Sequence, residues 1–393
     1  MNSRILFFLT SLALVSGCGG GGSSAPEPAP ALATVSSVGV GTAIIGQTVL
    51  VTVQGSNLDK GLTLNSAGCS GFALSATAPN VSSATTAYFT CRAANSGAQT
   101  LSVVRTSDST ALTTASYTVQ AASVASVAVS TARYSQTALF TVQGAALDLG
   151  LRVSSAGCKG APVLSTAAPN VSTATTAFYN CTIGSVGAQT LSVVRTSDNA
   201  TINNAAYTVE VPQVTLTTSN GAGVQGYIVI TLEPVKAPIT TDNFLAYIKS
   251  GFYLNTAWHR VLSGFVAQGG GYAAPITATA TPALKPTLSS IVLEDGVGLT
   301  NAKYTVAMAR TNAADSATSQ FFINLADNNV TAVGRTNLDK TPTARGYAVF
   351  GTVTWGMGVV DAMAWAPCTA ATTGYSECVP IPNIVITAAS QTR

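Results

Sequence analysis

Trp258-His259-Arg260-Val261-Leu262-Ser263-Gly264-Phe265-Val266-Ala267-Gln268, followed by Gly269, Gly270 and Gly271, is the stretch on which the reading of this 393-residue chain turns. It sets a permanent cation, an aromatic ring and a neutral amide on one short segment, a combination that can hold an apolar ring and a polar backbone together. Working outward, Val214 and Leu216, then Ile228, Ile230 and Leu232, alternate with polar residues on either side of a Gly-rich turn at 220–226. That period of two predicts an opening hairpin. A helix is expected after Pro238, with Thr240 as N-cap, Asp242 in the first turn, Phe244, Leu245 and Ile248 on one face, and Gly251 at its end. A second short helix is expected around Val359 to Met363, with strands and long loops between.

Three further blocks accompany the opening stretch. Phe244 with Ser250-Gly251-Phe252-Tyr253 comes first. Tyr304 to Arg310 is followed by Ser316-Ala317-Thr318-Ser319-Gln320-Phe321-Phe322-Ile323-Asn324 and Leu325 to Asn328. Gly346-Tyr347-Ala348-Val349-Phe350-Gly351 precedes Gly356-Met357 and Val360-Asp361. In this order the four blocks resemble a cyclophilin-type peptidyl-prolyl cis-trans isomerase, over about Val214 to Ala388. The resemblance implies a closed antiparallel β-barrel with two helices, proline-containing polypeptides as partners, and no cofactor or metal. It implies that Arg260 is catalytic, that Phe265, Val266, Phe322 and Leu338 hold the proline ring, and that Gln268 and Gln320 contact the substrate backbone. Ala309, Arg310 and Thr311 would line the adjacent groove. Tyr347 stands where eukaryotic members carry histidine, Val266 replaces a usual methionine, Ser263 a common proline and Trp258 a usual phenylalanine, and Asn337 stands where an aromatic is common. His259, the chain's only histidine, is expected to be structural, because strand alternation turns it away from the groove.

The chemistry has a physical reading of its own. Turning an X-Pro bond breaks amide resonance, against a barrier of roughly 18–20 kcal/mol, and takes tens to hundreds of seconds unaided. No covalent bond changes, so neither a nucleophile nor a general base is needed. A guanidinium aimed at the amide nitrogen in a water-poor pocket is worth more in the twisted state than in either planar one.

Only 8% of residues are charged and 47% are hydrophobic, with Thr, Ser, Asn and Gln filling most remaining polar positions. That is the composition of a β-rich exported protein. A net charge of +3, without a Lys/Arg cluster, gives no basis for nucleic-acid binding. Residues 1–17 combine Arg4, an apolar run from Ile5 to Val15, and the small Ser16 and Gly17, too short a run for a permanent span. Leu14-Val15-Ser16-Gly17-Cys18 resembles the lipobox of bacterial lipoproteins, which implies lipidation of Cys18 and a membrane anchor. Each buried methylene would add about 0.8 kcal/mol to that anchor. The six later cysteines, an even number in an exported chain, argue for disulfides. They group as Cys69 with Cys91, Cys158 with Cys181, and Cys368 with Cys378.

Residues 18–33, rich in Gly, Ser, Ala and Pro, read as a tether. Residues 34–120 and 121–210 repeat one another: Thr52-Val53-Gln54-Gly55 recurs as Thr141-Val142-Gln143-Gly144, and Gly97 to Asp108 as Gly187 to Asp198. Short β-branched runs between turns predict two tandem antiparallel sandwiches. They resemble bacterial immunoglobulin-like repeats, without the tryptophan of antibody-type domains. Residues 211–393 form the isomerase-like domain. The expected whole is mainly β: a monomeric, membrane-tethered prolyl isomerase of the bacterial cell envelope, facing the periplasm or cell surface. The alternatives are a proline-peptide binding module of little turnover and a surface interaction protein.

Overall fold

The computed structural model describes residues 31–277, 282–330, 336–369 and 378–393. The expected signal peptide, Cys18 and nearly all of the tether lie outside the described residues. The chain divides into two compact units, one made of the residues up to Ala43 with Thr48–Val119, the other of Ile44–Gln47 with Gln120–Arg393.

In the first unit Thr34–Val40, Thr48–Ser56, Thr86–Ala93 and Cys69–Leu74 lie side by side in one antiparallel sheet, while Ala111–Gln120, Gly97–Arg105 and Leu62–Asn65 neighbour one another in a second. Val49, Val51 and Val53 alternate inward and are all but fully buried, as period-two patterning requires. The second repeat copies the plan with sheets Val163–Leu164, Thr176–Thr182, Thr137–Ala145, Ser123–Val129 and Leu151–Ser155, Gly187–Arg195, Thr201–Val209. The disulfides pair Cys69 with Cys91 and Cys158 with Cys181, as their grouping predicted. In the first repeat the bond joins neighbouring strands of one sheet, and so pins a sheet edge, whereas an antibody-type domain ties its two sheets together.

The C-terminal part is built from β1 (Gln213–Ser219), β2 (Gln225–Leu232), α1 (Pro238–Lys249), β3 (Thr256–Ala257), β4 (Arg260–Val261), β5 (Val266–Gly269), β6 (Thr305–Met308), β7 (Phe321–Asn324), β8 (Val349–Trp355), α2 (Met357–Ala364), β9 (Cys368–Thr369), β10 (Val379–Pro380) and β11 (Val385–Gln391). Nine of the strands form one sheet in the order β3-β11-β1-β2-β8-β6-β7-β5-β4. Nine flat strands would span about 38 Å at ~4.8 Å spacing, yet the edge strands β3 and β4 are separated only by Trp258 and His259, at most about 11 Å of chain. The sheet must therefore roll up. Among the described residues no ladder links β3 to β4, so the expected closed barrel is seen as a rolled sheet whose edges are neighbours in the chain.

Inside the roll, Phe244 of α1 meets Phe321 and Phe350 at 5.3 and 5.0 Å between ring centroids, and Trp258 meets Phe321 at 5.4 Å. All four are fully buried, and truncating such a ring costs about 3–5 kcal/mol. Trp258 fits because its indole N–H donates to Thr218 Oγ1 at 3.0 Å, which satisfies its one polar atom. The glycines after Gln268 also answer to packing. A Cβ at Gly269 would come 3.0 Å from Trp258 Cε3, and Gly270, at φ +80°, lies against Tyr253 and Phe321.

Two details of α1 differ from expectation. The helix begins at Pro238 rather than after a Thr240 cap, since proline fits the first helical position, where its missing N–H costs nothing. The cap comes instead from Glu294, whose carboxylate accepts from the N–H groups of Ile239 (3.1 Å) and Thr240 (2.7 Å). Asp242 lies beyond the first turn and pairs with Lys159 of the second repeat at 2.5 Å. Gly251 follows the helix at φ +69°, the left-handed closure its position predicted. Cys368 is bonded to Cys378.

Candidate functional site

Strand alternation splits the sheet's buried residues between two clusters. Ala267, Val306, Met308, Phe321 and Ile323 face the main core. Their neighbours Val266, Ala307, Phe322 and Val349 face the other way and, with Leu338, form a separate small apolar cluster edged by Phe265, Ala309 and Tyr347. Register adds a row across it: Arg260 is opposite Gln268, Gln268 opposite Phe322, Phe322 opposite Ala307, and Ala307 opposite Val349. Paired residues of adjacent strands share a face, so a cation, an amide and an apolar floor are lined up across β4, β5, β7, β6 and β8.

The polar groups are held in place around this floor. The Arg260 guanidinium stands over the Phe265 ring, 5.5 Å from its centroid. Gln268 Nε2 donates to Gln320 Oε1 at 2.9 Å, which couples the two amides beside the row. Tyr347 meets Phe322 edge-on at 5.6 Å, and Arg310 covers its ring at 4.7 Å. Arg310 directs its donors at the carbonyls of Gly346 (3.0 Å), Arg345 (3.0 Å) and Thr311 (2.9 Å), so it braces the Tyr347 loop. Ala309 N–H pairs with Gln320 O at 2.9 Å. Thr311 lies exposed past the end of β6, outside the apolar cluster, with its N–H and hydroxyl directed at Ser316 Oγ.

Arg260 is half-buried, and burial pulls its guanidinium below its ordinary value, with nearby Tyr347 acting the other way. The charge survives, because arginine starts so high, but a partly desolvated guanidinium gains more from an acceptor brought to it. His259 is buried with its ring edge-on to Tyr272 at 4.8 Å and its side chain hydrogen-bonded with Gln320. Burial, helped by the Arg260 charge, pushes its pKa down to about 4.

A buried asparagine trio beneath the cluster went unread in the sequence. Asn301, Asn324 and Asn328 are at most 1% exposed. Asn328 Nδ2 donates to Phe265 O (2.9 Å) and Asn324 Oδ1 (2.8 Å), Asn324 Nδ2 to Asn301 Oδ1 (3.2 Å), and Asn301 Nδ2 to Leu338 O (3.1 Å) and Asp339 Oδ1 (2.8 Å). Leu338 N–H closes the circuit on Asn328 O at 2.8 Å. Two walls of the apolar cluster, Phe265 and Leu338, thus hang from one network. Asn324 at the end of an otherwise apolar strand was the one visible trace of it.

Residues 213–391 match the family model of the cyclophilin type peptidyl-prolyl cis-trans isomerase/CLD. The chain is 46% identical over 166 residues to the peptidyl-prolyl cis-trans isomerase cyp18 of Streptomyces antibioticus, covering 42% of this chain and 92% of that protein. It is 46% identical over 155 residues to a peptidyl-prolyl cis-trans isomerase of Acinetobacter baylyi (39% of this chain, 74% of that protein). To peptidyl-prolyl cis-trans isomerase B of Escherichia coli it is 45% identical over 136 residues (35% and 77%). With its matched blocks gathered on the rolled sheet, its two helices and the segments joining them, and a bacterial relative covered almost end to end, the chain belongs to the cyclophilin-type peptidyl-prolyl cis-trans isomerase family.

Proposed function

We propose that the protein accelerates rotation about X-Pro bonds of exported polypeptides, with Arg260 stabilising the twisted amide and no covalent step. The observation that carries this reading is the cross-strand row that sets Arg260 beside the apolar floor of Val266, Phe322 and Leu338. A proline ring seated on that floor is held by apolar contact, and its amide nitrogen comes within reach of the guanidinium. As the amide twists, its nitrogen becomes pyramidal and basic and can accept a hydrogen bond it could not accept while planar. The interaction therefore strengthens in the transition state, which is the condition for raising kcat. Gln268 and Gln320 hold the neighbouring peptide groups, and Tyr347 closes the far wall against Phe322.

In the same reading, Cys18 carries a lipid anchor after removal of residues 1–17, and residues 18–33 and the two immunoglobulin-like units at 34–120 and 121–210 are a spacer that holds the enzyme off the membrane of the cell envelope. The family resemblance at the lipobox and the three disulfides support an exported location. The deciding experiment is an NMR exchange or protease-coupled assay on an Ala-Pro peptide with the intact protein and Arg260→Ala. Intact protein should shorten the isomerisation time and the variant should lose about 10²–10³-fold. No acceleration by intact protein would sink the enzyme reading.

A further inference from the structure

We infer that the disulfide-closed hairpin of β9 and β10 is a positioning element for Arg260, acting on the rate of the twisting step and not on the proline-binding floor; this rests on the catalytic reading of Arg260 given above. The strand that carries Arg260 is short. β4 holds only Arg260 and Val261, lies at the edge of the sheet, and is paired on one side with β5. So brief an edge strand is poorly suited to aim a long side chain unless its other side is tied down.

The tie comes from the hairpin. Val261 N–H donates to Cys378 O at 3.0 Å. Cys378 leads directly into β10, which pairs with β9 in the register Cys368 to Pro380, and the Cys368–Cys378 bond closes the pair. Behind β4, Val379 packs with Ala257 and Ile276 in an apolar cluster of its own, edged by Tyr272 and Ala274, and its three central residues are at most 5% exposed. Asn383 stitches that cluster together, accepting from Ile276 N–H (2.6 Å) and donating to Pro380 O (3.0 Å). Trp258 N–H donates to Ile384 O at 2.9 Å, and Tyr272 stands against His259. The backbone from 257 to 261 is thus held by residues 378–384 or by side chains packed on them. Val266 and Phe322 on β5 and β7, and Leu338 in the segment before β8, belong to a different cluster, so loosening the hairpin should blur the aim of Arg260 while leaving the floor intact.

The test uses the full chain with Cys368→Ser/Cys378→Ser, assayed on an Ala-Pro peptide for kcat and KM separately, alone and combined with Arg260→Ala. A misaimed catalytic group can cost from several-fold to about 10²-fold. The expected result is a fall in kcat of about tenfold with KM within about twofold, and little further loss once Arg260 is gone, as groups acting through one another are non-additive. Unchanged kcat, a KM that moves with it, or an undiminished loss in the Arg260→Ala background would overturn the proposal. If the double serine variant does not unfold cooperatively, Val379→Ala, which keeps the disulfide and removes the contact on Ala257, decides by the same readouts. Wild-type turnover by Arg260→Ala alone would instead remove the catalytic reading, a failure distinct from that of the hairpin.

Discussion

The guanidinium of Arg260 stands 5.5 Å from the ring centroid of Phe265, and the two residues enclose the same edge of the apolar floor from β4 and from the turn before β5. The ring flanks the cation, and a planar guanidinium in a half-buried site carries its donors in one rigid fork. Lysine would bring charge without that plane. Arg260→Lys is therefore expected to keep KM within about twofold and to lose about tenfold or more in kcat, a cost of about 1.4 kcal/mol in transition-state stabilisation. Steady-state rates on an Ala-Pro peptide check it, and a lysine variant at full activity would show that charge alone suffices.

Asn328 donates to Phe265 O while its own carbonyl accepts from Leu338. Removing its amide strands buried partners, at about 1–3 kcal/mol of stability. Because the Phe265 wall hangs from that side-chain amide, while Leu338 keeps its bond to the Asn328 backbone, Asn328→Ala is expected to loosen Phe265 and raise KM several-fold. Urea unfolding together with the KM and kcat of the same preparation reads both effects.

How much of this was legible in the sequence follows from the range of each interaction. Arg260, Gln268 and Phe322 could be named from the family blocks, but the register that lines them up with Ala307 and Val349 could not, because strand pairing is set by the whole sheet. The helix α1 was legible except for its cap, since Glu294 reaches it from far along the chain. Of the asparagine trio only Asn324, closing an apolar strand, left a trace in the sequence, for the same reason: only the fold brings the three together. The disulfides were readable because each pair sits within one repeat or one loop. The packing of the second repeat on the isomerase domain was not. The repeats are nearly alike, and only substitutions such as Ile45 against Tyr134 and Ser70 against Lys159 mark the surface that meets α1.

Buried His259 makes stability depend on pH. Its pKa falls from 6.5 in the unfolded chain to about 4 in the folded one, so on acidification the unfolded state takes up the proton first. The favourable contribution is complete above pH 6.5, declines as pH falls from 6.5 to 4, and is gone below that, a difference of roughly 3 kcal/mol. Asp295, held below its ordinary value of 3.8 by Arg345, adds its own loss only at more acid pH. Urea midpoints measured from pH 7.5 to 4 should fall steeply below 6.5, and His259→Phe should flatten that segment. Turnover, by contrast, should be level from pH 6.5 to 9, because Arg260 stays charged and His259 neutral.

The second repeat and the isomerase domain should unfold together. Tyr134, 2% exposed, belongs to the same apolar core as Phe244 and Phe321. Burial pushes its phenol up, and the Asp242 carboxylate of α1 adds to the shift. Gln391 of β11 donates to Tyr134 O at 3.0 Å and accepts from Gln136 at 2.8 Å. The Lys159–Asp242 pair, with both side chains about one-third exposed, contributes no more than about 0.5 kcal/mol, so the apolar core dominates the coupling. Tyr134→Ala is expected to cost about 3 kcal/mol and to lower the inactivation temperature of the isomerase by about 5 °C or more, although the substitution lies outside the isomerase domain. Calorimetry should show the melting of Gln120–Arg393 move as one transition while that of Thr48–Val119 stays in place. An isomerase whose inactivation temperature ignored Tyr134→Ala would mean that the shared core does not couple the two.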